Sequence, residues 1–299
     1  MKTSTLRKVA NLSLAIGAIA IAPQAMATAV IQNGYIKAGI SDFGTLGSNL
    51  NASPGILFDA NGTGNYGVND FLTPGGPSEL FAVKADGGYS QSSNNDGNGS
   101  FATFVLSAIT GTSATATGLS SDGTMRVVNT YSLTTIGGIS KIDISTTLTN
   151  LGTTSLTGLK LLRETDPDPD RNAFGAFRTT NVVVSNDKAC GTGSFSGQTI
   201  CINSNSLFTH KSGVNRDWPS VNPDLYLAGV NNGDGDYSIG IAFALGSLAP
   251  NASVSVDYAY NLAADLTVAT GDGEVPLPGT LALMLVAAAG ILVRGRSKP

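Results

Sequence analysis

Lys141-Ile142-Asp143-Ile144-Ser145-Thr146-Thr147-Leu148 places Ile142, Ile144 and, with Thr146 between, Leu148 on one side of an extended chain, and Lys141, Asp143, Ser145 and Thr147 on the other. Successive side chains of a strand point to opposite faces, so a period of two with one polar side reads as a half-buried strand. The pattern continues in both directions. Met125 to Leu133, Ile139 to Asn150 and Leu156 to Arg163 are three alternating segments separated by Gly137-Gly138 and Gly152-Thr153. Strands joined by such short, conformationally permissive turns predict an antiparallel meander with one wet face.

The same grammar runs outward from this meander. Ala29 to Ile40 holds two β-forming runs broken by Asn33-Gly34, a hairpin signal. Short strands are expected near Gly55 to Phe58 and Tyr66 to Phe71, inside a loop-rich stretch, and longer ones at Glu79 to Ala85 and Phe101 to Ile109. On the C-terminal side, strands are expected at Phe177 to Ser185, Thr199 to Ile202, Leu225 to Val230, Tyr237 to Leu245 and Ser253 to Leu262. About a dozen short strands with no long amphipathic helix point to an all-β body, an antiparallel β-sandwich of the large, many-stranded kind.

The two ends follow other rules. Lys2, Arg7 and Lys8 precede an apolar stretch from Val9 to Ala22, followed by Pro23 and Ala25-Met26-Ala27. That is the order of a secretory signal peptide, with cleavage expected after Ala27. At the other end, Val275-Pro276-Leu277-Pro278 leads into an unbroken small-and-apolar run from Gly279 to Val293, then Arg294, Arg296 and Lys298. The prolines keep a helix from extending backwards, and the cations resist crossing a bilayer. A run of about 15 residues spans only some 22 Å, short of the roughly 30 Å hydrocarbon core, which fits a short, processed anchor.

This C-terminal layout resembles the PEP-CTERM sorting signal of exopolysaccharide-producing Gram-negative bacteria. The family's Pro-Glu-Pro falls on Pro276, Leu277 and Pro278, with leucine in place of the glutamate. The resemblance implies handling by exosortase, residence in the inner membrane before processing, and a surface or matrix destination associated with exopolysaccharide or biofilm. A generic tail anchor is the alternative. The expected organisation is a signal peptide at 1–27, a β-sandwich body at 28–270, a linker at 271–274 and a sorting signal with a hydrophobic transmembrane helix at 275–299.

With both terminal segments set aside, 11 basic residues face 21 acidic ones, a net charge of about −10. Such an excess of carboxylates opposes nucleic acid and anionic membrane surfaces as partners. Divalent cations and neutral glycans remain compatible with it. Cys190 and Cys201 are the only cysteines. Export to an oxidising compartment predicts that they pair, contributing on the order of 3 kcal/mol.

The densest chemistry lies in Arg163-Glu164-Thr165-Asp166-Pro167-Asp168-Pro169-Asp170-Arg171, directly after a strong strand. One reading is a solvated strand-to-loop corner, offset by Arg163, Arg171 and Arg178. The other is a weak Ca²⁺ site on Asp166, Asp168 and Asp170, since a hard cation takes several oxygens and neighbouring carboxylates repel without one. Asp234-Gly235-Asp236 is a second oxygen-rich loop, readable as a hairpin turn. His210 stands without the local signature of a serine hydrolase or a zinc protease. The expectation is therefore a body without enzymatic activity and without catalytic residues. A carbohydrate-binding module is the main rival, with Trp218, Tyr226, Tyr237, Tyr258 and Tyr260 as potential sugar platforms or as core. A glycan hydrolase using a carboxylate pair such as Glu79 and Glu164 is the weaker one.

Overall fold

The computed structural model describes residues 29–49, 52–72, 79–136 and 139–270. Both terminal readings lie outside these residues: the signal peptide with Ala25 and Ala27, and the linker and sorting signal with Val275, Pro276, Leu277, Pro278, Arg294 and Arg296. Among the described residues no helix is long and apolar enough to cross a membrane.

Strands β1 (Ala29–Gln32), β2 (Ile36–Ile40) and β3 (Ile56–Phe58) come first, followed by β4 (Glu79–Lys84) and β5 (Ser90–Asn94). Next are β6 (Val105–Ser107), β7 (Ser113–Leu119), β8 (Met125–Ile136), β9 (Ile139–Asn150), β10 (Leu156–Thr165) and a short helix α1 (Arg171–Phe174). Then β11 (Thr179–Ser185), β12 (Lys188–Gly193), β13 (Thr199–Asn203) and β14 (Thr209–Asn215) lead to α2 (Pro223–Leu227). Finally β15 (Ser238–Leu248), β16 (Ser253–Ala263) and α3 (Leu266–Thr270) close the described chain.

The strands form three antiparallel sheets. The small one has the order β1-β2-β3, a second runs β14-β15-β10-β4-β5, and the largest runs β11-β12-β13-β16-β9-β8-β7-β6. The expected meander of β8, β9 and β10 divides between layers: β8 and β9 pair in the eight-stranded sheet, whereas β10 sits between β15 and β4 in the five-stranded one. Apolar side chains from all three sheets meet in one core, among them Ile36, Phe81, Leu161, Ile241, Val127, Ile144 and Leu262. This β-sandwich-like arrangement follows from the alternation: Ile142, Ile144 and Leu148 face the core, while Lys141, Asp143 and Ser145 face out.

A charged network crosses that core. Arg163 is fully buried, donating from Nε to Glu79 Oε1 and from Nη2 to Glu79 Oε2 at 2.9 Å and Tyr131 Oη at 3.2 Å. Tyr260 donates to Glu79 Oε1 at 3.1 Å, and the backbone N–H of Leu46 donates to Glu79 Oε2 at 2.7 Å. Burial is the largest single influence and works against the Arg163 charge, but the Glu79 carboxylate together with Tyr131, Tyr258 and Tyr260 holds the guanidinium well above its ordinary pKa. The pair sits on adjacent strands of the five-stranded sheet, is tied to the eight-stranded one through Tyr131 and Tyr260, and anchors the loop after β2 through Leu46.

Two expected strands are corrected. Leu225 to Val230 is not a strand, because Pro223 opens α2 and the Asn222 side chain caps it by accepting from Asp224 N. Tyr226 of this helix is buried against Ala82, Leu162 and Ala242, covering the outer face of the five-stranded sheet. Tyr66 to Phe71 supplies only an isolated bridge between Asp70 and Leu57. The Asp70 carboxylate there accepts from Gly55 N, Ile56 N and Leu72 N, replacing ladder bonds with side-chain ones. Cys190 and Cys201 are disulfide-bonded and are direct register partners on β12 and β13.

Candidate functional site

The run that follows β10 is shaped by its prolines. Pro167 and Pro169 disfavour helix in the residues before them, so the chain leaves the sheet extended and spreads its carboxylates instead of wrapping them. Asp166, Asp168 and Asp170 are all buried, at 4%, 3% and 1% exposure, so this is not a solvated corner. The three do not all converge: Asp166 and Asp168 stay together, and Asp170 leaves them. Asp170 turns to the β12–β13 turn and accepts from Phe195 N at 2.7 Å and Ser196 N at 3.0 Å. Asp236 takes the third place instead: Asp166, Asp168 and Asp236 each offer an oxygen, and these lie within 4.8 Å of one another.

Strand register explains the exchange. Thr165 of β10 pairs with Ile239 of β15, so the residues just after β10 lie beside those just before β15. Asp236 is thereby brought to Asp166, while its neighbour Asp234 accepts from Asn181 N at 2.8 Å. Burial pushes Asp166 up to about 8 and Asp168 up to about 9, with the neighbouring carboxylates adding to both. Glu164, on the opposite face from Arg163, is raised to about 7 by burial and accepts from Tyr226 Oη at 2.7 Å and Ser220 N at 3.0 Å. Glu79 and Glu164 therefore face different layers and form no catalytic pair.

The second site lies on the wet face of the eight-stranded sheet. Lys188, Asn203, Ala259, Asp143 and Ser132 are successive register partners across five strands, so their side chains share one outward line. Asp257, Ser145 and Thr130 form the parallel line beside it. Together with Lys141, and with Ser185 and Asp187 from the β11–β12 hairpin, they line a groove of about 600 Å³. Lys141, Asp143 and Ser145 are only half-exposed although they point outward. Thr134 donates to Asp143 Oδ2 at 2.6 Å, fixing that carboxylate.

His210 supports the rim of this groove. Its Nε2 meets Asp187 Oδ1 at 2.9 Å, its Nδ1 meets Phe208 O at 2.6 Å, and its ring packs on Phe243. Both ring nitrogens are thus engaged. Of the aromatic residues named from sequence, Tyr226, Tyr258 and Tyr260 are buried, and Tyr237 packs against the core. Trp218 is half-buried and donates Nε1 to Asp236 O at 3.2 Å, beside the acidic cluster. Sequence reading missed the groove as a site. Its available signal was the polar alternation of β9, but which strands flank β9 depends on long-range pairing.

No protein-family model and no curated protein matches the chain. Among solved structures, it is similar to a bacterial glucoamylase complexed with acarbose, with 10% identity, 82% of this chain covered, and a TM-score of 0.53. The chain spans about a third of that protein's length, 34%. A putative aldose 1-epimerase from Escherichia coli K12 matches at 12% identity over 79% of this chain and 99% of its own, with a TM-score of 0.43. A galactose mutarotase related enzyme from Lactobacillus acidophilus matches at 12% identity over 79% and 97%, with a TM-score of 0.33. At these identities the glucoamylase likeness speaks to fold alone. The expectation of a body without enzymatic activity is corrected to this extent: the fold is one that a glucoamylase contains, so an all-β body gives no ground for excluding activity.

Proposed function

We propose that this is an exported carbohydrate-active protein whose polar groove on the eight-stranded sheet seats a neutral saccharide. The groove carries the reading: hydroxyl, amide, ammonium and carboxylate groups converge on one half-buried concavity of about 600 Å³, fixed on rigid strands. Paired donors and acceptors of this kind match the hydroxyls of a sugar, and charges of both signs, Lys141 and Lys188 against Asp143, Asp187 and Asp257, give no preference for a strongly charged ligand. Export is supported by the order of charged, apolar and small residues through Ala27 and by the disulfide. The Pro276-Leu277-Pro278 layout supports sorting by exosortase from the inner membrane to a surface or matrix rich in exopolysaccharide.

Isothermal titration of the mature body with neutral oligosaccharides tests this reading. Binding that weakens at least tenfold in Asp143→Ala and is unchanged in Asp234→Ala is expected, whereas equal affinity in all three proteins overturns the groove as the site.

A second reading, glycan hydrolysis, is favoured by one feature of the register. Asp257 pairs with Ser145, and Asp143 with Ala259, so the two aspartates are diagonal neighbours on adjacent strands. Diagonal neighbours stand about 7–8 Å apart at the backbone, a spacing from which two carboxyl groups can reach the roughly 6.5–9.5 Å separation of an inverting pair. Release of reducing ends that disappears in both Asp143→Asn and Asp257→Asn supports it. Turnover surviving either change removes that pair from the reaction.

A further inference from the structure

The carboxylates at the end of β10 have no use in the saccharide reading, and the inference drawn from them does not depend on it. Asp166 and Asp168 are more than nine-tenths buried, and in each the buried Oδ1 has no hydrogen-bond partner. An acceptor removed from water and left unpaired is costly, and a charged one more so. Among the described residues neither forms a salt bridge. The nearest opposing charge, Arg171, lies over the Phe177 ring, 4.7 Å from its centroid, instead of pairing with Asp168. No cationic side chain among the described residues pairs with either carboxyl group.

We infer that Asp166, Asp168 and Asp236 bind a divalent cation, with the unpartnered oxygens of the two buried aspartates as ligands and exposed Asp236 closing the site from the solvent side. The donor set is oxygen alone, with no histidine or cysteine, which selects a hard cation. Three carboxylates from two loops give Ca²⁺ the flexible coordination it accepts, where Mg²⁺ demands a stricter octahedron. Asp236 lies on the side exposed to water, so the cation has an entry path without opening the sandwich. A bound ion would link the loop before β15 to the end of β10 and, through Trp218 on Asp236 O, to the 215–220 loop.

The test uses the mature chain, stripped with chelator and titrated with CaCl2, with MgCl2 as a parallel arm. At ten times its dissociation constant, Ca²⁺ should raise the melting temperature by roughly 3–6 °C. Asp236→Asn should weaken Ca²⁺ at least tenfold in calorimetry while the chelated protein melts as the wild type does. Asp168→Asn, which keeps the shape of a side chain whose charge is disfavoured by burial, should melt no lower than the chelated wild type yet lose the Ca²⁺ shift. Asp170→Asn should lower the melting temperature and leave the shift intact, because Asp170 holds the β12–β13 turn. No heat and no shift in the folded wild type at 5 mM Ca²⁺ would overturn the inference; so would Asp236→Asn retaining wild-type affinity. A shift lost in Asp170→Asn but kept in Asp236→Asn would move the site to the residues adjacent in sequence and overturn it equally.

Discussion

Replacing Glu79 by Gln keeps the shape of the side chain and removes its charge, leaving the Arg163 guanidinium without a counterion in the middle of the sandwich. Both side chains are 0% exposed, so no water reaches the site to compensate. Gln offers one acceptor oxygen where Glu79 uses two, so it can keep Tyr260 Oη or Leu46 N but not both, and its NH2 group must meet the guanidinium, which has only donors. Three rings, Phe81, Tyr131 and Tyr258, lie 5.8 to 6.0 Å from Arg163 Cζ and soften the loss without replacing a carboxylate. Breaking a buried pair by removing one partner costs about 3–5 kcal/mol. For a body of this size that is a fall in melting temperature of roughly 6–20 °C. Urea denaturation followed by circular dichroism measures it, in a cycle of Glu79→Gln, Arg163→Met and the double variant. The double variant removes the stranded charge, so it should be no less stable than the worse single change. A Glu79→Gln cost below about 1 kcal/mol, or a double variant equal to the sum of the singles, would refute the claim that the pair acts as one buried unit.

Three further outcomes are expected. Replacing both Cys190 and Cys201 by Ala should cost about 3 kcal/mol, read as a melting temperature roughly 6–12 °C lower, and reductant should have no further effect on that variant. Gly240→Ala should destabilise by about 1–3 kcal/mol, because an added Cβ would meet the Tyr226 ring at 2.7 Å and Arg163 O at 2.9 Å, and shortening Tyr226 in the same protein should recover part of the loss in a thermal melt. The Asp59 carboxylate is held down at about 2 by the Thr63 hydroxyl and by Asn61 N, with Thr63 N and Asn65 N adding to them. A folded value below the unfolded one of about 3.8 means its stabilisation is present above pH 4 and is lost as pH falls toward 2, so Asp59→Asn should flatten that part of the acid denaturation curve.

The strand inventory was legible where one face is apolar and the other polar. β8, β9 and β16 alternate strongly enough that a period of two is visible in the residues themselves, whereas β10 and β15 are buried on both faces over much of their length. Ser90-Gln91-Ser92-Ser93-Asn94 becomes β5 without an apolar residue, and the glycine-rich β12 and threonine-led β14 are equally silent. Such strands form because a neighbour offers an unpaired edge, which is a property of the assembled sheet. Leu225 to Val230 misled in the opposite sense, since its β-forming side chains are overruled by a proline start, an asparagine cap and a hydrophobic patch on the sheet for Tyr226 to fill.

Alternation and composition together determined that the body is β-rich and acidic, the cysteine count that Cys190 and Cys201 had each other as partners, and residue order that the 163–170 run concentrates carboxylates. These are local or counted properties, and a sequence carries them openly. Only the tertiary structure decided which carboxylates meet. The Thr165 to Ile239 register brings Asp236 to Asp166 and Asp168, while the β12–β13 turn claims Asp170. It also decided that the polar side of Lys141 to Thr147 is the floor of a groove, because that floor needs β8, β16, β13 and β12 laid beside β9. Such convergence depends on long-range pairing, whose closure is set by the whole core and leaves no trace in the spacing of the residues it joins.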